Sequence, residues 1–219
     1  MKIKKIIVVA LMLVLGLMLV ACSDEGKDNS ITREDAVNAL NSASSARVST
    51  ESTIQNGQEA VSVMSFDDYI DGNKTKSSNN LNITSYYQND GSNVYAYSEK
   101  NGVWVRGDGK PVKDAYYCVS MEDVRNIANA SAEQVVAWKM FDVTVADWSA
   151  QEINVDGTKT YMYTFSGTAR INMEKVSKLF GEMDYPSSLI NAIEALKDTV
   201  LNIKITIQGI GQTSVNLPC

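Results

Sequence analysis

Leu201-Asn202-Ile203-Lys204-Ile205-Thr206-Ile207-Gln208 alternates without a break, with Leu201, Ile203, Ile205 and Ile207 on one side and Asn202, Lys204, Thr206 and Gln208 on the other. Period two over eight residues is the mark of a strand with one buried and one wet face. The same alternation runs through Phe141, Val143 and Val145, and again through Tyr161, Tyr163 and Phe165. One wet face is the habit of antiparallel sheets, because parallel sheets are covered on both sides.

Upstream, the turn chemistry repeats. Asn56-Gly57, Asp71-Gly72, Asp90-Gly91 and Asn101-Gly102 separate candidate strands at Val48–Ile54, Glu59–Ile70, Leu81–Tyr87, Val94–Glu99 and Val103–Arg106. Gly after Asn or Asp supplies the positive φ that tight hairpins need. These pairs predict an antiparallel meander, with Tyr95-Ala96-Tyr97 and Val103-Trp104-Val105 as its clearest hairpin. Further strands are expected at 151–155, at 158–166 after Asp156-Gly157, and from a turn at Gly209-Gly211 to Leu217.

Helical spacing appears in four or five places. Thr32 with Asp35 caps a helix carrying Ala36, Val37, Leu40 and Ala43, read as far as Arg47. Met121–Asn129 is a second. Ser131 with Gln134 opens a third that carries Val135, Val136 and Trp138. Asn172–Met183 places Met173, Val176, Leu179, Phe180 and Met183 on one face, and a helix from Pro186 turns Leu189, Ile190, Ile193 and Leu196 inward. The expected fold is α+β: a curved, mostly antiparallel sheet with helices covering its apolar face.

The N-terminus reads as an export signal. Lys2, Lys4 and Lys5 precede an uncharged apolar run, Ile6 to Val20, that ends Leu19-Val20-Ala21-Cys22. The run is about 15 residues, short of the roughly 20 that span a bilayer. An uncleaved membrane anchor is the plainer alternative. Ser23 to Ser30 is polar, a tether before the fold. The expected division is 1–21 signal peptide, 22–30 tether and 31–219 one α+β domain.

Twenty basic residues face 26 acidic ones, a net charge of −6. Without the three lysines of the signal, 17 basic residues remain and the charge is about −9, which repels phosphate backbones and argues against nucleic acid. The sequence has no histidine. Catalysis loses its commonest general base and zinc its commonest ligand, so neither an enzyme, a metal site nor a cofactor is expected. Besides Cys22, only Cys118 and Cys219 are present. They form either one disulfide closing a loop of about 100 residues or two separate thiols.

Leu19-Val20-Ala21-Cys22 resembles the lipobox of bacterial lipoproteins. That resemblance implies cleavage after Ala21, acyl chains on Cys22, and an extracytoplasmic protein held at the cell membrane by its lipid. The order of elements over 31–217 resembles the LolA-like superfamily, which includes the outer-membrane lipoprotein carrier, the mycobacterial LppX/LprG lipoproteins and surface lipoproteins of Gram-positive bacteria. The resemblance is carried by the opening helix, the long meander, and Tyr163-Thr164-Phe165-Ser166-Gly167-Thr168 running into a lid helix. It implies an unclosed half-barrel with a cavity for a lipid or other apolar ligand. Trp138, Met173, Val176, Phe180, Leu189, Ile193 and Leu196 are the candidate lining, and the same residues also read simply as core. The second functional reading is a non-catalytic module that docks an envelope protein.

Lesser patterns have bland explanations. Asp67-Asp68-Tyr69-Ile70-Asp71-Gly72 brushes a calcium loop but has Tyr and Ser78 where ligands belong. Arg106-Gly107-Asp108 is an adhesion tripeptide or an ordinary turn. Tyr69, Tyr86, Tyr87, Tyr95, Tyr97, Tyr116 and Tyr117 suit sugar stacking, and tyrosine is equally favoured in any strand.

Overall fold

Eleven antiparallel strands form one sheet in the computed structural model, which describes residues 31–56, 58–182 and 187–218. They are β1 (Ser45–Asn56), β2 (Glu59–Asp71), β3 (Lys74–Asn79), β4 (Thr84–Asn89), β5 (Asn93–Lys100), β6 (Val103–Arg106), β7 (Lys110–Pro111), β8 (Val135–Trp138), β9 (Phe141–Val155), β10 (Thr158–Ile171) and β11 (Leu201–Gln208). The order is β6-β5-β4-β3-β2-β1-β11-β10-β9-β8, with β7 alongside β5. Four α-helices accompany them among the described residues: α1 (Arg33–Ser42), α2 (Met121–Asn129), α3 (Met173–Glu182) and α4 (Ser187–Glu194). The α+β, open-sheet expectation holds.

The sheet curls, and three hydrogen bonds measure the curl. Trp138 on β8 donates its indole N–H to Thr50 Oγ1 on β1 at 2.9 Å. Those strands are four apart in the sheet order, about 19 Å if the sheet were flat. Lys139, in the turn after β8, reaches Asp68 on β2 at 2.9 Å and Ser77 on β3 at 3.2 Å. The β8–β9 turn is therefore folded onto the concave face of β1–β3. Trp138, Phe141, Phe165, Ile205, Ile207 and Val48 are buried there.

Local chemistry explains the helix starts. Thr32 Oγ1 accepts from Asp35 N while Asp35 returns a bond to Thr32 N, and Ser120 and Asp123 repeat the arrangement at α2. The first helix stops at Ser42, short of Arg47. Ala43 is extended, and Ala46 and Val48, both fully buried, alternate as β1 pairs with β2 and β11.

Other expectations need correcting. Ser131 is bonded to Gln134 as a cap would be, but no helix follows. Glu133 has φ +68°, and Val136 and Trp138 are buried while Val135 and Ala137 are exposed, so the segment is strand β8. β3 was absent from the sequence reading because Lys-Thr-Lys-Ser-Ser-Asn contains no apolar residue; its inward positions are Thr75 and Ser77. Leu81 is exposed in a turn with Asn82 at φ +59°, and the strand starts at Thr84.

The strands expected at 141–145 and 151–155 are one, β9. Gly167 is not a turn: the register shifts between Ser166 and Gly167, and β10 continues to Ile171. A Cβ at Gly167 would meet the carbonyl oxygen of Thr144, so the close approach at this bulge requires glycine. After the Gly209–Gly211 turn no strand forms among the described residues, and Val215 N is held by the Asp71 carboxylate at 3.2 Å.

Candidate functional site

Residues 110–120 cross the concave face and border three cavities. The 3-10 turn Val112–Asp114 leads into Tyr116, Tyr117 and Cys118 before α2 begins. Tyr117 packs on Tyr87 of β4 with ring centroids 5.1 Å apart. Tyr116 sits under Lys175 and Lys178 of α3, whose ammonium groups lie 5.7 and 5.9 Å from its ring centroid. The segment thus ties the meander to the lid helix through aromatic surface.

The most apolar cavity, about 420 Å³, is bordered by Ile83, Tyr87, Ala96, Trp104 and Tyr117, with Glu99, Asp108 and Lys110 among its polar groups. A neighbouring space of about 400 Å³ lies between Pro111, Tyr116, Tyr117 and Leu179 of α3. The third, about 270 Å³, touches Tyr116, Cys118, Asp123, Lys139 and Lys175. A cavity of about 480 Å³ that includes Arg47, Glu51, Asp67 and Lys204 is ringed by charge and does not suit an apolar ligand.

Between these spaces and the core sits a buried ion pair. Lys139 and Asp68 side chains are 1% and 0% exposed. The ammonium also donates to Tyr117 O at 3.2 Å and lies 4.4 Å from the centroid of Phe66. Asp68 Oδ2 has no partner among the described residues. Nearby, burial pushes the Cys118 thiol up to about 12, against the smaller opposing effects of Thr75 and Lys139. Burial likewise raises Asp123 even though it accepts from Ser120.

The expected lid residues fall in different places. Trp138, Val176 and Ile193 are buried, and Met173 and Leu196 are half-buried. The Phe180 and Leu189 side chains, together with Cys22 and Cys219, lie outside the described residues. None of Trp138, Met173, Val176, Ile193 and Leu196 borders the three cavities along 110–120; Leu179 does. Cys118 carries a free thiol.

Two signals for this site were readable and missed. Lys139 is the one charge in the apolar stretch Val135–Phe141, and Asp68 shares strand parity with Phe66 and Ile70. The calcium-loop pattern dissolves: Asp67 pairs with Arg47 at 2.9 Å, while Asp68, its neighbour in the strand, turns to the opposite face.

No family model and no curated protein matches this chain. Among solved structures, a DUF1329 family protein from Desulfovibrio piger aligns at 13% identity with a TM-score of 0.22. The alignment covers 64% of this chain and 65% of that one. A likeness at that level carries no fold or function across.

Proposed function

We propose that this chain is a non-catalytic, lipid-anchored lipoprotein of LolA-like type that binds a lipid or other apolar ligand in a cavity of its half-barrel. The observation that carries the reading is the cavity of about 420 Å³ beside Ile83, Tyr87, Ala96, Trp104 and Tyr117. It lies within the roughly 300–1,000 Å³ of small-molecule sites. Aromatic walls with a few polar groups at the rim suit an apolar body with a polar end. The lipobox-like Leu19–Cys22 supports a lipid anchor, and with it a position on the extracytoplasmic face of the membrane.

The test is native mass spectrometry of the full chain from a lipid-rich host, followed by denaturing mass spectrometry of the same sample. Extra mass that leaves on denaturation is expected, and Ala96→Trp, which fills the cavity, should abolish it while circular dichroism shows the variant folded. A bare mass in every preparation favours the second reading, a module that docks an envelope protein. Val103 and Val105 support that reading, being 60% and 41% exposed on the short edge strand β6.

A further inference from the structure

The outer face of the meander carries a row of side chains, of which Tyr97 also borders the apolar cavity together with Trp104. Register sets Arg47 beside Tyr69, Tyr69 beside Lys76, Lys76 beside Tyr86, Tyr86 beside Tyr97 and Tyr97 beside Arg106. The row crosses six strands, about 24 Å at the ordinary strand spacing. Its members touch. The Arg47 guanidinium lies 5.1 Å from the Tyr69 centroid, and Lys76 lies 5.8 and 6.0 Å from Tyr69 and Tyr86. Tyr86 meets Trp104 edge-on at 5.1 Å, and Arg106 lies 4.5 Å from Tyr95, whose hydroxyl is held by Asp90.

Strand propensity explains tyrosines on a sheet, but not three cations interspersed with them along one register row. A wet face ordinarily sets opposite charges across strands. Here only Arg47 is answered, by Asp67. Lys76 and Arg106 have no carboxylate partner among the described residues, in a chain of net charge −6. None of the row is buried.

We infer that this row binds an anionic glycan. Pyranose C–H faces stack on Tyr69, Tyr86 and Tyr97, and sugar carboxylates pair with Lys76 and Arg106. A pyranose ring spans about one strand spacing, and the two free cations are three strands apart, about 14 Å. That suits a chain charged on every second or third ring. A phosphate polymer, charged on every unit, meets too few cations here.

The experiment is calorimetric titration of the full chain with a hyaluronan decasaccharide, in which hexuronate alternates with neutral sugar, beside neutral chitohexaose and polyphosphate. Hyaluronan should bind. Tyr86→Ala and Lys76→Ala should each weaken it about tenfold, or about 1.4 kcal/mol. Tyr86→Trp and Lys76→Arg should retain it. Circular dichroism checks that each variant is folded. Equal affinity for chitohexaose would remove the cations from the account. Polyphosphate binding that ignores Tyr86→Ala would remove the rings. No binding to hyaluronan overturns the proposal.

Discussion

Lys139 and Asp68 meet at 2.9 Å across strands that a flat sheet would hold far apart, and both are shut away from solvent. The pair clasps the curled half-barrel from inside. Removing one partner of a buried pair leaves an uncompensated charge, at a cost of about 3–5 kcal/mol. Lys139→Met and Asp68→Leu should therefore each destabilise by about that much in urea unfolding. The double variant should recover much of the loss, because an apolar pair needs no desolvation of charge. A double variant as unstable as the two singles summed would show that the ion pair itself is not what the site requires.

The second clasp is neutral. Trp138→Phe keeps most of the ring volume but strips the donor from Thr50 Oγ1, which is buried with its residue 1% exposed. An orphaned buried hydroxyl costs about 1–3 kcal/mol. Thr50→Val in the same background should cost less than in the wild type, a coupling that a double-mutant cycle measures directly.

Gly167→Ala should destabilise by about 1–3 kcal/mol or more, because the added methyl is driven into the Thr144 carbonyl across the bulge. The check is chemical denaturation beside Gly157→Ala. A Cβ at Gly157 meets nothing, but its φ of +82° adds backbone strain. The two variants separate collision from conformation. Equal small losses would remove the packing argument at Gly167.

The sheet was legible in the sequence wherever burial left alternation, as in Leu201–Gln208, or where Gly fixed a turn, as at Asn101-Gly102. It failed where polar side chains do the burying. β3 turns Thr75 toward the Val119 carbonyl and Ser77 toward Lys139, so hydrogen bonds replace the apolar stripe that pattern reading needs. β8 failed for another reason: four residues hold too few periods to tell two from 3.6, and a capping-like Ser131–Gln134 bond broke the tie wrongly. The cleft was hidden because its walls, Tyr87, Trp104 and Tyr117, come from β4, β6 and the 110–120 segment, and no local pattern marks them as neighbours.

The proposed lipid anchor makes its own prediction. Cys22→Ala removes the acceptor sulfur, so the chain should lack acyl mass and leave the membrane fraction or persist as the uncleaved precursor. Metabolic labelling with a fatty acid, followed by fractionation, reads both. A Cys22→Ala chain that is still labelled would overturn the lipobox reading.

Cys118 links the site to pH. Its thiol is raised from 9.0 to about 12 in the fold, chiefly by burial. In the unfolded chain it returns to the ordinary value and ionises first. Between those two values the unfolded state binds fewer protons than the native one, so stability must fall as pH rises from about 9 toward 12. At pH 7 the thiol is protonated in both states and contributes no slope. Cys118→Ala should therefore match the wild type's pH dependence near neutrality and lose part of its decline above about pH 9, read as the difference between the two urea-unfolding curves. Iodoacetamide gives an independent reading, because the thiolate is the reactive species. Peptide mapping should find Cys118 alkylated slowly in the native protein at about pH 8 and rapidly in urea. Fast native labelling would mean that Cys118 is open to solvent and that the cavity beside Lys139 reaches farther inward.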